Sequence, residues 1–194
     1  SFSHVGNEVV VEAAQEADRE TLTRRQVVAI DRLTEGTVVP VRRDYVSVRA
    51  GGRRNARQPG ARGTGEVERD RSIAQVYGVR NPGVVYDARA GRVRNPLESG
   101  VLAGQTVADR HDLVPGDTVV LDNRSYRVAA VLANYTNASY SNLEVRNAFV
   151  VPPRTVNASG YHEVTVVTAN RSAANRTAVT LRAGMNADGR VVDV

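Results

Sequence analysis

The chain has 194 residues, 41% of them hydrophobic, with 26 basic and 21 acidic side chains and a formal net charge of +5. That length suits one domain, or one domain with a sizeable insertion, and its many valines can fill a core despite only 7 Tyr, 2 Phe and no Trp. The absence of cysteine excludes disulfides and thiol chemistry, and no apolar run approaches the roughly 18–20 residues that a membrane-spanning helix needs. The sequence starts at Ser1 with no recognisable signal peptide, so a processed chain or a soluble piece of a larger one is expected.

In chain order, residues 7–13 (NEVVVEA) read as a strand through their valine run. Thr21 or Thr23 can cap a helix through Leu33, whose apolar positions Leu22, Val27, Ile30 and Leu33 fall roughly on one side, and Gly36 suits its C′ position. Residues 37–42 and 45–50 read as two further strands. Residues 51–71, rich in Gly, Arg, Asn and Pro, read as the flexible tip of a hairpin that returns as a strand over 72–79. A short helix over 101–110 is followed by a tight Leu113-Val114-Pro115-Gly116-Asp117 turn. Two β-rich strands come next, joined at Asp122-Asn123, a pair that tolerates the backbone twist of a hairpin. Near the end, residues 162–168 (HEVTVVT) form a strand. Ser172 caps a helix through Leu181 that stops at Gly184, and residues 189–194 form a last strand. A strand–helix–strand unit therefore stands at each end of the chain. Two such units join into one mixed sheet with helices on one face, a split βαβ arrangement of α+β class with β-rich material inserted between them.

All 26 basic residues are Arg, a preference that reflects genome composition more often than function. Arg49, Arg53, Arg54, Arg57 and Arg62 lie together with no acid among them and equal the whole charge excess, which makes them the candidate anion- or partner-binding residues. No aromatic side chain stands between Ala50 and Val76, so the stacking that single-stranded nucleic acid requires is missing, and nucleic acid is not the expected partner. Asp109-Arg110-His111-Asp112 has the residue types of a metal or acid–base cluster. The other histidines, His4 and His162, are far from it in sequence, and a predicted helix end accounts for His and Arg there. A Ser/His peptidase would need Ser99 or Ser125 beside His111, and no spacing supports that. Gly51-Gly52 and Gly63-x-Gly65 lack the strand–glycine–helix context of nucleotide binding. Six Asn-x-Ser/Thr sequons, at Asn123, Asn134, Asn137, Asn157, Asn170 and Asn175, are candidate glycosylation sites if the chain is exported.

Several motifs in series resemble those of one family. They are Val76-Tyr77-Gly78-Val79-Arg80-Asn81-Pro82, Gly91-Arg92, Gly104-Gln105-Thr106-Val107-Ala108, Leu113 to Asp117, Tyr126-Arg127-Val128 and Val150-Val151-Pro152. Their order and spacing resemble the extracytoplasmic periplasmic core domain of MacB/FtsX-type ABC-transporter permeases. The resemblance implies an α/β porter-like subdomain from residues 1–90 and 157–194, with a β-rich, Sabre-like insert at 91–156. It also implies a place outside the membrane and a non-catalytic part in transmitting ATP-driven motion, with no bound cofactor. The implied partners are the flanking transmembrane helices, a cytoplasmic ATPase subunit, and a second permease copy or a surface or periplasmic protein. The basic tip at 51–71 is longer than that pattern needs. The alternative reading is a cell-surface module that recognises an anionic ligand through this loop.

Overall fold

The computed structural model describes residues 7–15, 17, 19–50, 72–133, 145–187 and 192–194. Strand β1 (Glu8–Ala13) turns Val9 and Val11 into a core and leaves Glu8, Val10 and Glu12 on its other face, as the alternation of a strand requires. Helix α1 (Arg24–Leu33) begins at Thr23 with a full capping box. The Gln26 N–H donates to Thr23 Oγ1 at 3.2 Å, and the Thr23 N–H donates to Gln26 Oε1 at 2.7 Å. The helix does not end on Gly36 as expected, because Thr34 is already extended. Gly36 serves the sheet instead: a Cβ there would lie 2.6 Å from the Val167 carbonyl oxygen.

Strand β2 (Thr37–Ala50) is one unbroken strand of 14 residues where the sequence suggested two. Arg42-Arg43-Asp44 looks like a polar connection, yet its residues have partners inside the sheet. Arg42 stacks 4.8 Å from the centre of the Tyr161 ring, and the Arg43 N–H donates to His162 Nδ1 at 3.0 Å. Strand β3 (Ser72–Val79) returns antiparallel to β2, from Val48↔Ser72 to Val41↔Val79, as the hairpin reading requires. The expected tip at 51–71 lies outside the described residues.

The middle of the chain supplies β4 (Ala88–Gly91), β5 (Val101–Ala103), α2 (Gln105–Arg110), β6 (Thr118–Leu121), β7 (Arg124–Leu132) and β8 (Ala148–Val151). The helix expected over 101–110 is thus divided. Val101, Leu102 and Ala103 are buried as a strand between β7 and β8, and only Gln105–Arg110 coils. Three consecutive buried residues need both faces of a sheet covered, which a short surface helix cannot offer. The β6–β7 reversal forms where expected, with Asp122 and Asn123 at φ 45° and 64°, the left-handed pair of a tight hairpin.

The last elements are β9 (Glu163–Val167), α3 (Arg171–Met185) and β10 (Val192–Asp193). Asn170, not Ser172, caps α3: its Oδ1 accepts the Ala173 N–H at 2.9 Å. The helix also runs through Gly184 to Met185, since the missing side chain makes room for Leu33 of α1.

Among the described residues all ten strands belong to one mixed sheet, in the order β10-β1-β9-β2-β3-β8-β5-β7-β4, with β6 bridging β2 and β7. Strand β9 is antiparallel to both β1 and β2, and β1 is antiparallel to both β9 and β10, so the two terminal strand–helix–strand units interlock. Strand β10 runs antiparallel to β1 beside its last two residues, through Ala13↔Val192 and Glu12↔Asp193. Under α1 and α3 lies a core of Val9, Val11, Leu22, Ile30, Val164, Val166 and Leu181. Two further cores flank the rest of the sheet. Val48, Val76, Val107, Leu121 and Phe149 centre one of them, and Val41, Tyr77, Val79, Leu102 and Val150 the other.

Candidate functional site

Away from the helices, the α/β layer carries a group of carboxylates that strand alternation places on one face. Glu12 of β1 and Glu163 of β9 are register partners, and Glu8 lies two pleats along β1 from Glu12. Glu163 is fully buried. Its Oε1 accepts the Thr165 hydroxyl at 3.3 Å, and Arg43 Nη2 of β2 approaches Glu12 Oε1 at 3.9 Å. Burial pushes Glu163 up to about 7; Arg43 opposes the rise, Glu12 adds to it, and the Thr165 hydrogen bond opposes it. Glu8 is also pushed up to about 7, first by burial and then by the charge of Glu163. Beside them His162 moves the other way, lowered by burial and by Arg43 against the opposing pull of Asp44. Its Nδ1 accepts the Arg43 N–H, so the neutral ring carries its proton on Nε2.

This arrangement favours the neutral forms of Glu8, Glu163 and His162. Among the described residues, no three His, Cys, Asp or Glu side chains are grouped to hold a metal ion. Sequence reasoning passed over the cluster, although a signal existed. Glu8, Glu12 and Glu163 flank valine-rich runs in strands that must be largely covered.

The residues singled out from sequence are dispersed. Arg49 sits near the end of β2, half-buried and opposite Val120 of β6, while Arg53, Arg54, Arg57 and Arg62 lie outside the described residues. Asn123, Asn157, Asn170 and Asn175 are exposed: Asn123 in the β6–β7 turn, Asn170 at the cap of α3 and Asn175 on that helix. Asn134 and Asn137 lie outside the described residues.

In the Asp109–Asp112 stretch, Asp109 forms an exposed ion pair with Arg89 at 3.7 Å. His111 caps the C-terminal end of α2 and is buried, with Nε2 3.0 Å from Ser72 Oγ. The serine against this histidine is therefore Ser72 at the start of β3, and neither Ser99 nor Ser125 has that place. Pairing of β2, β3 and β6 brings Ser72 and His111 together, and no local spacing announces it.

The model of the MacB-like periplasmic core domain family matches residues 1–188. Among solved structures, the chain is similar to the extracellular domain of the noncanonic ABC-type transporter YknZ from Gram-positive bacteria. Identity there is 14% and the TM-score 0.64, over 97% of this chain and 99% of that one. It is also similar to the periplasmic region of MacB from Actinobacillus actinomycetemcomitans, with 11% identity and a TM-score of 0.65 over 98% of this chain and 88% of that one. No curated protein matches it. No helix among the described residues is long and apolar enough to cross a membrane. The α+β sheet, the order of its elements and the family match converge: the chain belongs to the MacB-like periplasmic core domain family, as the extracytoplasmic domain of a MacB-like ABC-transporter permease.

Proposed function

We propose that this domain is a non-catalytic mechanical element that carries motion from transmembrane helices, driven by a cytoplasmic ATPase subunit, to a substrate or partner outside the membrane. One observation carries the reading: the continuity of β2. Its first residues, Thr37–Val41, pair with β9 in the helix-covered layer, its middle pairs with β3, and its last residues, Val48–Ala50, pair with β6 in the β-rich half. A 14-residue strand spans about 46 Å at roughly 3.3 Å per residue. A push on the layer of β1 and β10 thus reaches the far half through a hydrogen-bonded strand with no hinge loop.

We also propose the division into a porter-like part (residues 1–90 and 157–194) and an inserted part (residues 91–156), with β2 and β3 as the shared strands. A second permease copy, or a surface or periplasmic protein, is the partner this reading leaves at the far half.

The test uses the whole permease with its ATPase in a lipid bilayer, with spin-label pairs measured through the ATP cycle. A pair at Glu20 and Arg124 reports separation within the domain, and a pair between Arg124 and the membrane-spanning region reports movement of the whole. The expected result is a constant first distance and a second that changes on ATP binding. An internal distance that changes, or a domain that ignores ATP, rejects the reading.

A further inference from the structure

The tertiary structure reveals a second concentration of positive charge that chain order hides. Helices α1 and α3 are 138 residues apart from the end of one to the start of the other, yet they lie side by side on the same face of the sheet, with Gly184 of α3 against Leu33 of α1. Together they carry Arg24, Arg25, Arg32, Arg171, Arg176 and Arg182, all exposed, against a single acid, Asp31. Among the described residues none of these arginines has a carboxylate partner, and Arg182 donates to the Val194 carbonyl oxygen at 2.7 Å. Spacing of four places Arg24, Val28 and Arg32 in one outward row on α1. Val28 is 42% exposed there, and Val179 on α3 is 63% exposed. The carboxylates of the same layer, Glu8, Glu12 and Glu163, lie on the opposite face of the sheet, and Glu163 is fully buried. Exposed arginine therefore outnumbers acid on the helical face, while Glu163 on the other face is buried.

We propose that this α1/α3 face docks on the anionic phospholipid headgroups of the membrane beside which the permease domain sits. Arginines set around exposed apolar side chains have the composition of a helix that lies in a headgroup region. The guanidinium groups meet phosphate while the valines reach toward the acyl boundary. The two helices offer no aromatic side chain for base stacking, which disfavours a nucleic-acid strand. The proposal rests on membership of the permease family and not on force transmission, so either can fail without the other.

The experiment is vesicle flotation of the full chain. One vesicle set contains phosphatidylcholine alone and the other a mixture with phosphatidylglycerol, each at about 50 mM and about 500 mM salt. Three variants accompany it: a helix variant (R24Q/R25Q/R32Q/R176Q), its lysine counterpart at the same four positions, and a loop variant (R53Q/R54Q/R57Q/R62Q). The expected result is binding to the anionic vesicles alone, lost at high salt, reduced at least tenfold in the helix variant, and kept in the lysine and loop variants. Circular dichroism of each variant confirms its fold. Four results would overturn the proposal: equal binding to neutral vesicles, loss in the loop variant with retention in the helix variant, loss in the lysine variant, or self-association of the chain in place of flotation.

Discussion

Glu12 and Glu163 stand directly opposite each other across β1 and β9, two acids paired in register where a sheet ordinarily avoids like charges. The pair persists because the carboxyls need not both ionise. Burial raises Glu163 to about 7, Arg43 stands beside Glu12, and Thr165 donates to Glu163.

That relationship predicts how stability responds to pH. The folded-state values of Glu8 and Glu163, about 7, lie above the ordinary value of 4.5 that an unfolded chain shows. Between these limits the folded form binds more protons at these two groups, so their contribution to stability is complete below pH about 4.5 and falls as pH rises through 7, while the lowered His162 works in the opposite sense. Thermal unfolding followed by circular dichroism should give a melting temperature several degrees higher at pH 5 than at pH 8. In Glu163→Gln the difference should shrink, chiefly through a gain of roughly 1–3 kcal/mol at pH 8, since one unit of pKa displacement corresponds to about 1.4 kcal/mol. An unchanged pH profile in that variant would show that Glu163 does not control the response.

Gly104, the residue before α2, has no room for a side chain. A Cβ there would sit 1.9 Å from the Val145 carbonyl oxygen and 2.5 Å from that of Arg146. Those atoms are backbone and cannot rotate away, so Gly104→Ala must displace α2 or the segment before β8. We expect a loss of at least about 3 kcal/mol in urea unfolding, at the severe end of single substitutions. A loss below 1 kcal/mol would mean that the 145–147 turn yields easily.

One side chain adds to the β2–β6 ladder where the β6–β7 hairpin turns. Asp122 Oδ1 accepts the Ser47 N–H at 2.8 Å and the Ser47 hydroxyl at 3.1 Å, while the Asp122 N–H donates to the Ser47 carbonyl oxygen at 3.0 Å. Asp122→Ala should cost about 1–2 kcal/mol, through the lost acceptor and through a left-handed residue that alanine adopts poorly. Hydrogen exchange at Ser47 and along β6 should speed up. Asp122→Asn keeps the oxygen and the tolerance for positive φ, and should stay within about 0.5 kcal/mol of the parent.

Capping of α3 separates two neighbouring residues. Asn170→Ala removes the acceptor for the Ala173 N–H and should cost about 1 kcal/mol. Ser172→Ala, inside the first turn, should cost less than about 0.5 kcal/mol. Unglycosylated protein is the right material, because Asn170 also stands in a sequon.

How much of this was legible depends on the range of the interaction responsible. The valine runs of β1 and β9, a threonine cap at residue 21 or 23, the Asp122-Asn123 reversal and the β2–β3 hairpin are short-range patterns and were readable directly. Gly36 and Gly184 looked like helix stops because glycine ordinarily marks one. Their use is close approach to Val167 and Leu33, which no local pattern encodes. The Val101–Ala103 strand was hidden for a similar reason, since small buried residues suit a helix until β7 and β8 claim both sides.

By itself the sequence determined the α+β class, the strand–helix–strand unit at each end, and the family motifs spread through the middle, because periodicity, caps and turns act within a few residues. Only the tertiary structure decided that β2 is one strand serving both halves, that Glu12 faces Glu163, that Ser72 meets His111, and that six arginines from two distant helices share one face. Each of these is a register or packing relation between segments far apart in the chain. Such relations are set by which hydrophobic faces must be buried together, not by any residue's immediate neighbours.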